Sequence, residues 1–258
     1  MYSLFDDNSF LILGHRGFSA AYPENTIESF RACARDSRID GVELDVHMCK
    51  TGEIVVSHDG SLKRCAGIDR FIEDMAWEDL KDIDVGSWKD PSFSNCRLPL
   101  LSDLFEEFGS RFCYDIELKV EPGRKWRRLC IAVWELVKSY GLEDRVMVSS
   151  FNPMALRKFN KVCWVSVPTA NIFSCHLAKH SILDNGWGHK VSNSSYLKPD
   201  CRQVDDSFND KHNKKGLDLI CWTVNDTETA ARLSKTPHVK GLIGNDPILL
   251  AEAIGRKI

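Results

Sequence analysis

Two carboxylates set two residues apart in an apolar stretch are the first sign of chemistry in this chain: Glu43 and Asp45 in Gly41-Val42-Glu43-Leu44-Asp45-Val46-His47. In an extended strand alternate side chains share a face, so both acids point one way while Val42, Leu44 and Val46 point the other. If they lie about 4 Å apart at an effective dielectric of about 20, they repel by about 4 kcal/mol. A shared proton, a basic side chain or a divalent cation must offset that repulsion.

Other reactive residues fall beside similar stretches. His15 and Arg16 follow an apolar run in Gly14-His15-Arg16-Gly17, His58 closes Val56-Ser57-His58-Asp59, and Glu117 with Lys119 repeats the alternate spacing of the anionic stretch. Arg16 and Lys119 suit an anionic substrate, the first as a bidentate fork and the second as a point charge. Glu43, Asp45 and Glu117 together offer carboxylate oxygens to a hard cation, Mg²⁺ or Ca²⁺, whereas the scattered cysteines and histidines have no zinc-ligand spacing. Plainer roles exist for each. A histidine beside a strand is commonly a structural hydrogen-bonder, Glu117 and Lys119 can simply pair, and a tryptophan at a strand end, as Trp222 is, commonly packs in a core. His176 and His180, four apart in a polar stretch, read as a solvated helix face.

To converge, these residues need strands that end side by side. Phe10-Leu11-Ile12-Leu13 reads as strand one, and Pro23-Glu24-Asn25-Thr26 opens a helix with Ile27, Phe30, Cys33 and Ala34 at helical spacing. The anionic stretch is then strand two of a parallel βαβ unit. Ile54 to Asp59 follows after too few residues for a crossover, so it returns as an antiparallel hairpin and is not a barrel strand. Residues 60 to 100, rich in Asp, Ser, Trp and Lys, form an insertion or lid on the loop after strand two. Alternation resumes with Phe112–Lys119, Val146–Phe151, Val162–Val167, Tyr196–Pro199, Asp218–Val224 and Gly241–Gly244 as strands three to eight, helices between them. The expectation is one α/β domain over residues 1–258, a (β/α)₈ TIM barrel with its active site at the C-terminal ends of the strands.

Composition agrees with one large domain. The 258 residues are 43% hydrophobic and 28% charged, with a net charge of -3. No basic run marks a nucleic acid partner, no apolar run reaches the roughly 20 residues of a membrane span, and the first residues lack a signal peptide's pattern. The ten cysteines contain no Cys-x-x-Cys pair. A cytoplasmic protein without stable membrane insertion, its thiols reduced, is expected.

Six motifs in order carry a resemblance: Gly14-His15-Arg16-Gly17, Pro23-Glu24-Asn25-Thr26, Glu43-Leu44-Asp45-Val46, Val56-Ser57-His58-Asp59, Glu117-Leu118-Lys119 and Trp222-Thr223-Val224-Asn225. Together they resemble the glycerophosphodiester phosphodiesterase family. The resemblance implies a metal-dependent barrel hydrolysing small phosphodiesters, such as glycerophosphocholine, to an alcohol and glycerol 3-phosphate. It implies His15 and His58 as acid and base, Glu43, Asp45 and Glu117 as ligands of one divalent cation, phosphate contacts from Arg16 and Lys119, and Trp222 near the glycerol. Three positions depart from the family pattern. Cys49-Lys50-Thr51-Gly52 replaces Thr-x-Asp-Gly, and Asn245 and Leu100 stand where threonine is usual.

Three other readings compete. A lysophospholipase D or sphingomyelinase D of the same fold would act on a longer lipid, with Trp77, Trp88 and Phe93 of the insertion forming an apolar face. A non-catalytic phosphate-binding barrel would need none of the histidines or carboxylates. A phosphosugar isomerase barrel would place its phosphate on backbone amides after strands seven and eight.

Overall fold

The computed structural model describes residues 10–120, 126–176, 186–205, 207–208 and 216–257. In chain order the main elements are β1 (Leu11–His15), α1 (Ile27–Ala34), β2 (Gly41–Met48), β3 (Ile54–Val56), α2 (Lys63–Ala66), α3 (Trp77–Leu80), α4 (Leu101–Phe108), β4 (Cys113–Leu118) and α5 (Trp126–Ser139). There follow β5 (Val146–Ser150), α6 (Pro153–Val162), β6 (Thr169–Phe173), α7 (Gly188–Ser192), β7 (Tyr196–Pro199), β8 (Asp218–Cys221), α8 (Thr227–Leu233), β9 (Val239–Gly244) and α9 (Pro247–Ala253).

Eight strands pair in parallel in the order β1-β9-β8-β7-β6-β5-β4-β2, and β1 pairs with β2 to close the barrel. The ninth strand, β3, pairs antiparallel with β2, placing Val46 opposite Val56 and Met48 opposite Ile54. It is the expected hairpin, and the fold is the expected (β/α)₈ barrel.

Alternation along the strands separates two interiors. Val42, Leu44 and Val46 face outward into the large cluster between sheet and helices, with Phe30, Leu104, Phe105 and Tyr114. Inside the barrel Leu11, Leu13, Cys113, Met147, Tyr196, Ile220 and Ile243 form an apolar plug. Two residues further along the same strands, the inward positions turn polar. Helix starts are fixed by side chains: Thr26 Oγ1 accepts from Ser29 N at 3.3 Å, and Asn152 Oδ1 accepts from Met154 N at 2.9 Å with Pro153 in the first turn.

The fifth barrel strand differs from expectation. It is Thr169–Phe173, whereas Val162–Val167 holds the end of α6 and a turn in which Trp164 and Val165 both have left-handed backbones. The β-branched run there is the exit of a helix, and pairing begins only after Pro168. Residues 60–100 contain short helices around Leu62, Ile72, Met75, Leu80, Val85 and Leu98, packed on Val55 of β3.

Candidate active site

His15 ends β1, and the chain turns through Arg16 (φ +56°) and Gly17 (φ +81°), where a side chain at Gly17 would run into Ser29. That turn sets Arg16 N 2.9 Å from Glu43 O and throws the guanidinium across the mouth. Register does the rest. β1 aligns His15 with Glu43, and β2 aligns Asp45 with Glu117 of β4.

The three carboxylates converge. Ligand atoms from Glu43, Asp45 and Glu117, all buried, lie within 4.8 Å of one another. Lys119 Nζ is 2.8 Å from both Asp45 Oδ1 and Glu117 Oε1, and Arg16 Nε is 3.4 Å from Asp45 Oδ2. His15, Arg16, Glu43, His58, Glu117, Lys119 and Trp222 line one cavity of about 260 Å³, with Phe151, Ile172, Lys198 and Ile243 completing its wall. Asp45 lies beneath, accepting from Asn25 Nδ2 at 2.8 Å. Of the other histidines, His176 is exposed beyond β6, and His180 lies outside the described residues.

Several residues in this network have roles that the spacing of motifs did not suggest. Lys198, inward-facing on β7 and 2% exposed, sets Nζ 2.6 Å from Asp115 Oδ2 and 3.0 Å from Ser149 Oγ. Asp115 extends the Glu117, Lys119 alternation one step deeper, so its direction was readable; Lys198 is a lone charge in Tyr196-Leu197-Lys198-Pro199. Asn245 Oδ1 lies 2.6 Å from His15 Nδ1. His58 Nδ1 lies 2.7 Å from Asp59 Oδ1, and Arg64 of α2 donates to Asp59 Oδ2 at 2.6 Å and to Glu24 Oε1 at 2.6 Å. Glu24 also accepts from Arg16, at 3.0 Å. His47 Nδ1 lies 2.7 Å from Glu73 Oε1, with Nε2 3.3 Å from the His58 carbonyl oxygen.

Burial and charge pull these groups apart electrically. Burial, reinforced by Asp45, holds Glu43 well above the ordinary carboxyl range. Burial also opposes the charge on Asp45, yet Lys119 and Arg16 outweigh it and keep that acid low. Glu117 is raised by burial while Lys119 pulls against the shift. For His15, burial and the neighbouring Arg16 push the imidazole down to about 3. Burial lowers His58 too, against the opposite pull of Asp45 and Asp59. Both imidazoles are therefore neutral at pH 7. A buried acid raised by its neighbours, beside others that cannot all be neutralised, suits a divalent cation, and carboxylate oxygens are hard donors.

Such a cluster lies at the strand ends of a closed barrel, where the active sites of (β/α)₈-barrel enzymes sit. The glycerophosphoryl diester phosphodiesterase family model matches residues 15–249, and the chain belongs to that family of phosphoric diester hydrolases, which are in general divalent-metal dependent. It is 31% identical over 250 residues to a glycerophosphodiester phosphodiesterase of Caldanaerobacter subterraneus subsp. tengcongensis, covering 95% of this chain and 97% of that one. A phosphodiesterase of Oleispira antarctica, solved in complex with the product sn-glycerol-3-phosphate, superposes with a TM-score of 0.83 at 25% identity, over 95% of this chain and 96% of that one. A human lysophospholipase D is 31% identical over 157 residues, 58% of this chain and 48% of that protein. Among the described residues no helix is long and apolar enough to cross a membrane.

Proposed function

We propose that the barrel hydrolyses glycerophosphodiesters to glycerol 3-phosphate and an alcohol, with Glu43, Asp45 and Glu117 holding one divalent cation, Mg²⁺ or Ca²⁺. The observation that carries this reading is the single cavity of about 260 Å³ shared by His15, His58, Glu43, Glu117 and the fixed cations Arg16 and Lys119, with Asp45 beneath. Its size suits a glycerophosphate head rather than a lipid tail. When bound, the ion draws charge from the non-bridging phosphate oxygens.

Arg16 and Lys119 hold the phosphate, and Trp222, whose Nε1 donates to Lys198 O at 2.9 Å, walls the glycerol side. His15 takes the proton of the neighbouring glycerol hydroxyl as that oxygen attacks phosphorus, forming a cyclic phosphate. His58 must take up a proton before it acts, Asp45 and Asp59 favouring the imidazolium against the stronger opposing effect of burial, and the protonated ring then gives that proton to the departing alcohol as the P–O bond breaks. Water then opens the ring with the two roles exchanged. Residues 60–100 serve as a fixed cover on one side, through Arg64 on Glu24 and Lys89 Nζ on Ser19 O at 2.7 Å. All ten cysteines are free thiols, which supports a reducing, cytoplasmic setting.

Turnover of glycerophosphocholine tests the reading. His15→Ala and His58→Ala, shown folded by circular dichroism, are expected to lose about 10²- to 10⁴-fold in kcat. Chelation is expected to abolish activity and either cation to restore it. Retention of more than about a tenth of wild-type turnover by either variant overturns the assignment.

A second reading has one observation in its favour. A groove of about 510 Å³ runs over Glu117 and Lys119 past Phe151 and Met154, wide enough for an acyl-bearing product. The insertion aromatics do not extend it: Trp77 packs into the insertion's own cluster, Trp88 lies under Arg64, and Phe93 sits against Tyr22. Faster turnover of lysophosphatidylcholine than of glycerophosphocholine would favour a lysophospholipase D. Absence both of glycerol 3-phosphate release from glycerophosphocholine and of choline release from lysophosphatidylcholine would leave only a non-catalytic barrel.

A further inference from the structure

Charge is unevenly spread along this chain. Between Arg145 and Pro199 it carries seven lysine and arginine residues and one acid, Asp184, which lies outside the described residues, although the whole chain is net -3. The fold gathers part of that excess. Where α6 and α7 both end, a surface groove of about 580 Å³ is lined by Arg157, Lys161 and Lys190 together with Trp164, Val165 and Val191. None of its lining residues is acidic, and those three cations have no carboxylate partner among the described residues. Trp164 is 87% exposed and Val165 59%, both at the tip of the left-handed turn after α6, and Lys190 of the groove has its Nζ 4.1 Å from the ring centroid of the half-exposed Trp187.

We propose that this groove is a docking surface for an anionic lipid bilayer. Large apolar side chains at a turn tip, rimmed by flexible cations, are what an interfacial site requires: aromatic rings enter the headgroup layer while lysine and arginine meet lipid phosphates. The same charge argues against a twofold pairing of two copies, which would set Arg157, Lys161 and Lys190 against their own counterparts.

Its place in the barrel gives the surface a meaning. Helix α6 starts beside Phe151 at the mouth and ends at the opposite face, where the turn at Trp164 leads into the start of β6. A barrel seated on a bilayer through this face opens its cavity to water. The surface therefore holds the enzyme beside its lipid source without feeding it lipid, and it is independent of which residues act in the mouth.

Co-sedimentation of the whole chain with vesicles tests this. Binding to phosphatidylcholine vesicles containing about one-third phosphatidylglycerol is expected to exceed binding to pure phosphatidylcholine by about tenfold or more, and to fall steeply as salt rises from about 0.1 M to about 0.5 M. Lys161→Glu with Lys190→Glu, and separately Trp164→Ser with Val165→Ser, are each expected to lower that binding about tenfold while thermal unfolding and turnover of soluble diester stay unchanged. Equal binding by either double variant, or none by the wild type, overturns the proposal. So does a two-chain mass by light scattering that Trp164→Ser returns to one chain, which would identify the groove as a subunit interface.

Discussion

Asn245 determines which nitrogen of His15 carries the proton. With Nδ1–H donated to Asn245 Oδ1 at 2.6 Å, the Nε2 lone pair is left facing the cavity, 3.8 Å from Glu43 Oε2. Ser19 Oγ donates to the same amide oxygen at 3.2 Å, which keeps that oxygen turned toward the ring. Oriented partners of this kind typically contribute about 10- to 100-fold, so Asn245→Leu is expected to lower kcat by that factor with KM within about twofold. Asn245→Thr, which restores the residue usual in the family, can still accept from Nδ1–H and is expected to retain most activity. Wild-type kcat in Asn245→Leu would mean that His15 needs no partner. The inward direction of Glu43, Asp45 and Glu117 was legible because strand alternation is strict. Asn245, Lys198 and Glu24 were not, since each reaches the mouth from a separate strand end or loop and only barrel closure brings them together.

At the scale of elements, the β2–β3 hairpin and the insertion behind it carry His58. The hairpin turns His58 back over the mouth, and His47 at the end of β2 braces it from below, bonded on one side to the His58 carbonyl and on the other to Glu73 of the insertion. Arg64 braces it from above through Asp59. Removing the lower brace takes away the contact with the His58 carbonyl and the contact of the His47 ring with Glu73. His47→Leu is therefore expected to lower kcat about tenfold, because a displaced catalytic group loses much of its effect, and Glu73→Gln to cost less. Kinetics on both variants, with crystal structures to locate His58, measure this; an unmoved His58 with unchanged kcat removes the brace from the mechanism. The antiparallel return of β3 was legible because its connection is too short for a crossover. The fifth strand was not. Val162 to Val167 has the composition of a strand, but the register of α6 buries Phe159 and Cys163 and carries Trp164 into solvent, so helix packing overrode local β preference.

For the whole molecule, the carboxylates in the barrel tie folding to pH and, if they hold the proposed ion, to cation. Glu43 has its folded value raised by burial and by Asp45, so the stability linked to it is fully present below the ordinary carboxyl range and is lost as pH rises through the raised value. Glu117 acts in the same sense. Asp45, held low by Lys119 and Arg16 despite its burial, acts in the opposite sense: its contribution is present above the ordinary range and is lost as pH falls through the depressed value. The chelated protein should therefore lose stability as pH rises through the raised value of Glu43, where that acid ionises against the charge of Asp45, and as pH falls through the depressed value of Asp45. A cation that binds only the folded state reverses the alkaline loss. At about a hundred times its Kd it adds about 2.7 kcal/mol, which for a chain of this size corresponds to a rise in Tm of roughly 5–10 °C. The rise is expected to be larger at pH 8 than at pH 5, because protons compete for Glu43 and Glu117 at the lower pH. Glu43→Gln separates folding from function: without cation it should be more stable than wild type at pH 8, it should gain little from Mg²⁺ or Ca²⁺, and it should be inactive. Thermal unfolding by circular dichroism at both pH values, with chelator and with each cation, measures all of this. A wild-type Tm that no divalent cation moves at pH 8 would show that Lys119, Arg16 and Lys198 already balance the barrel acids, and that the mouth holds no metal.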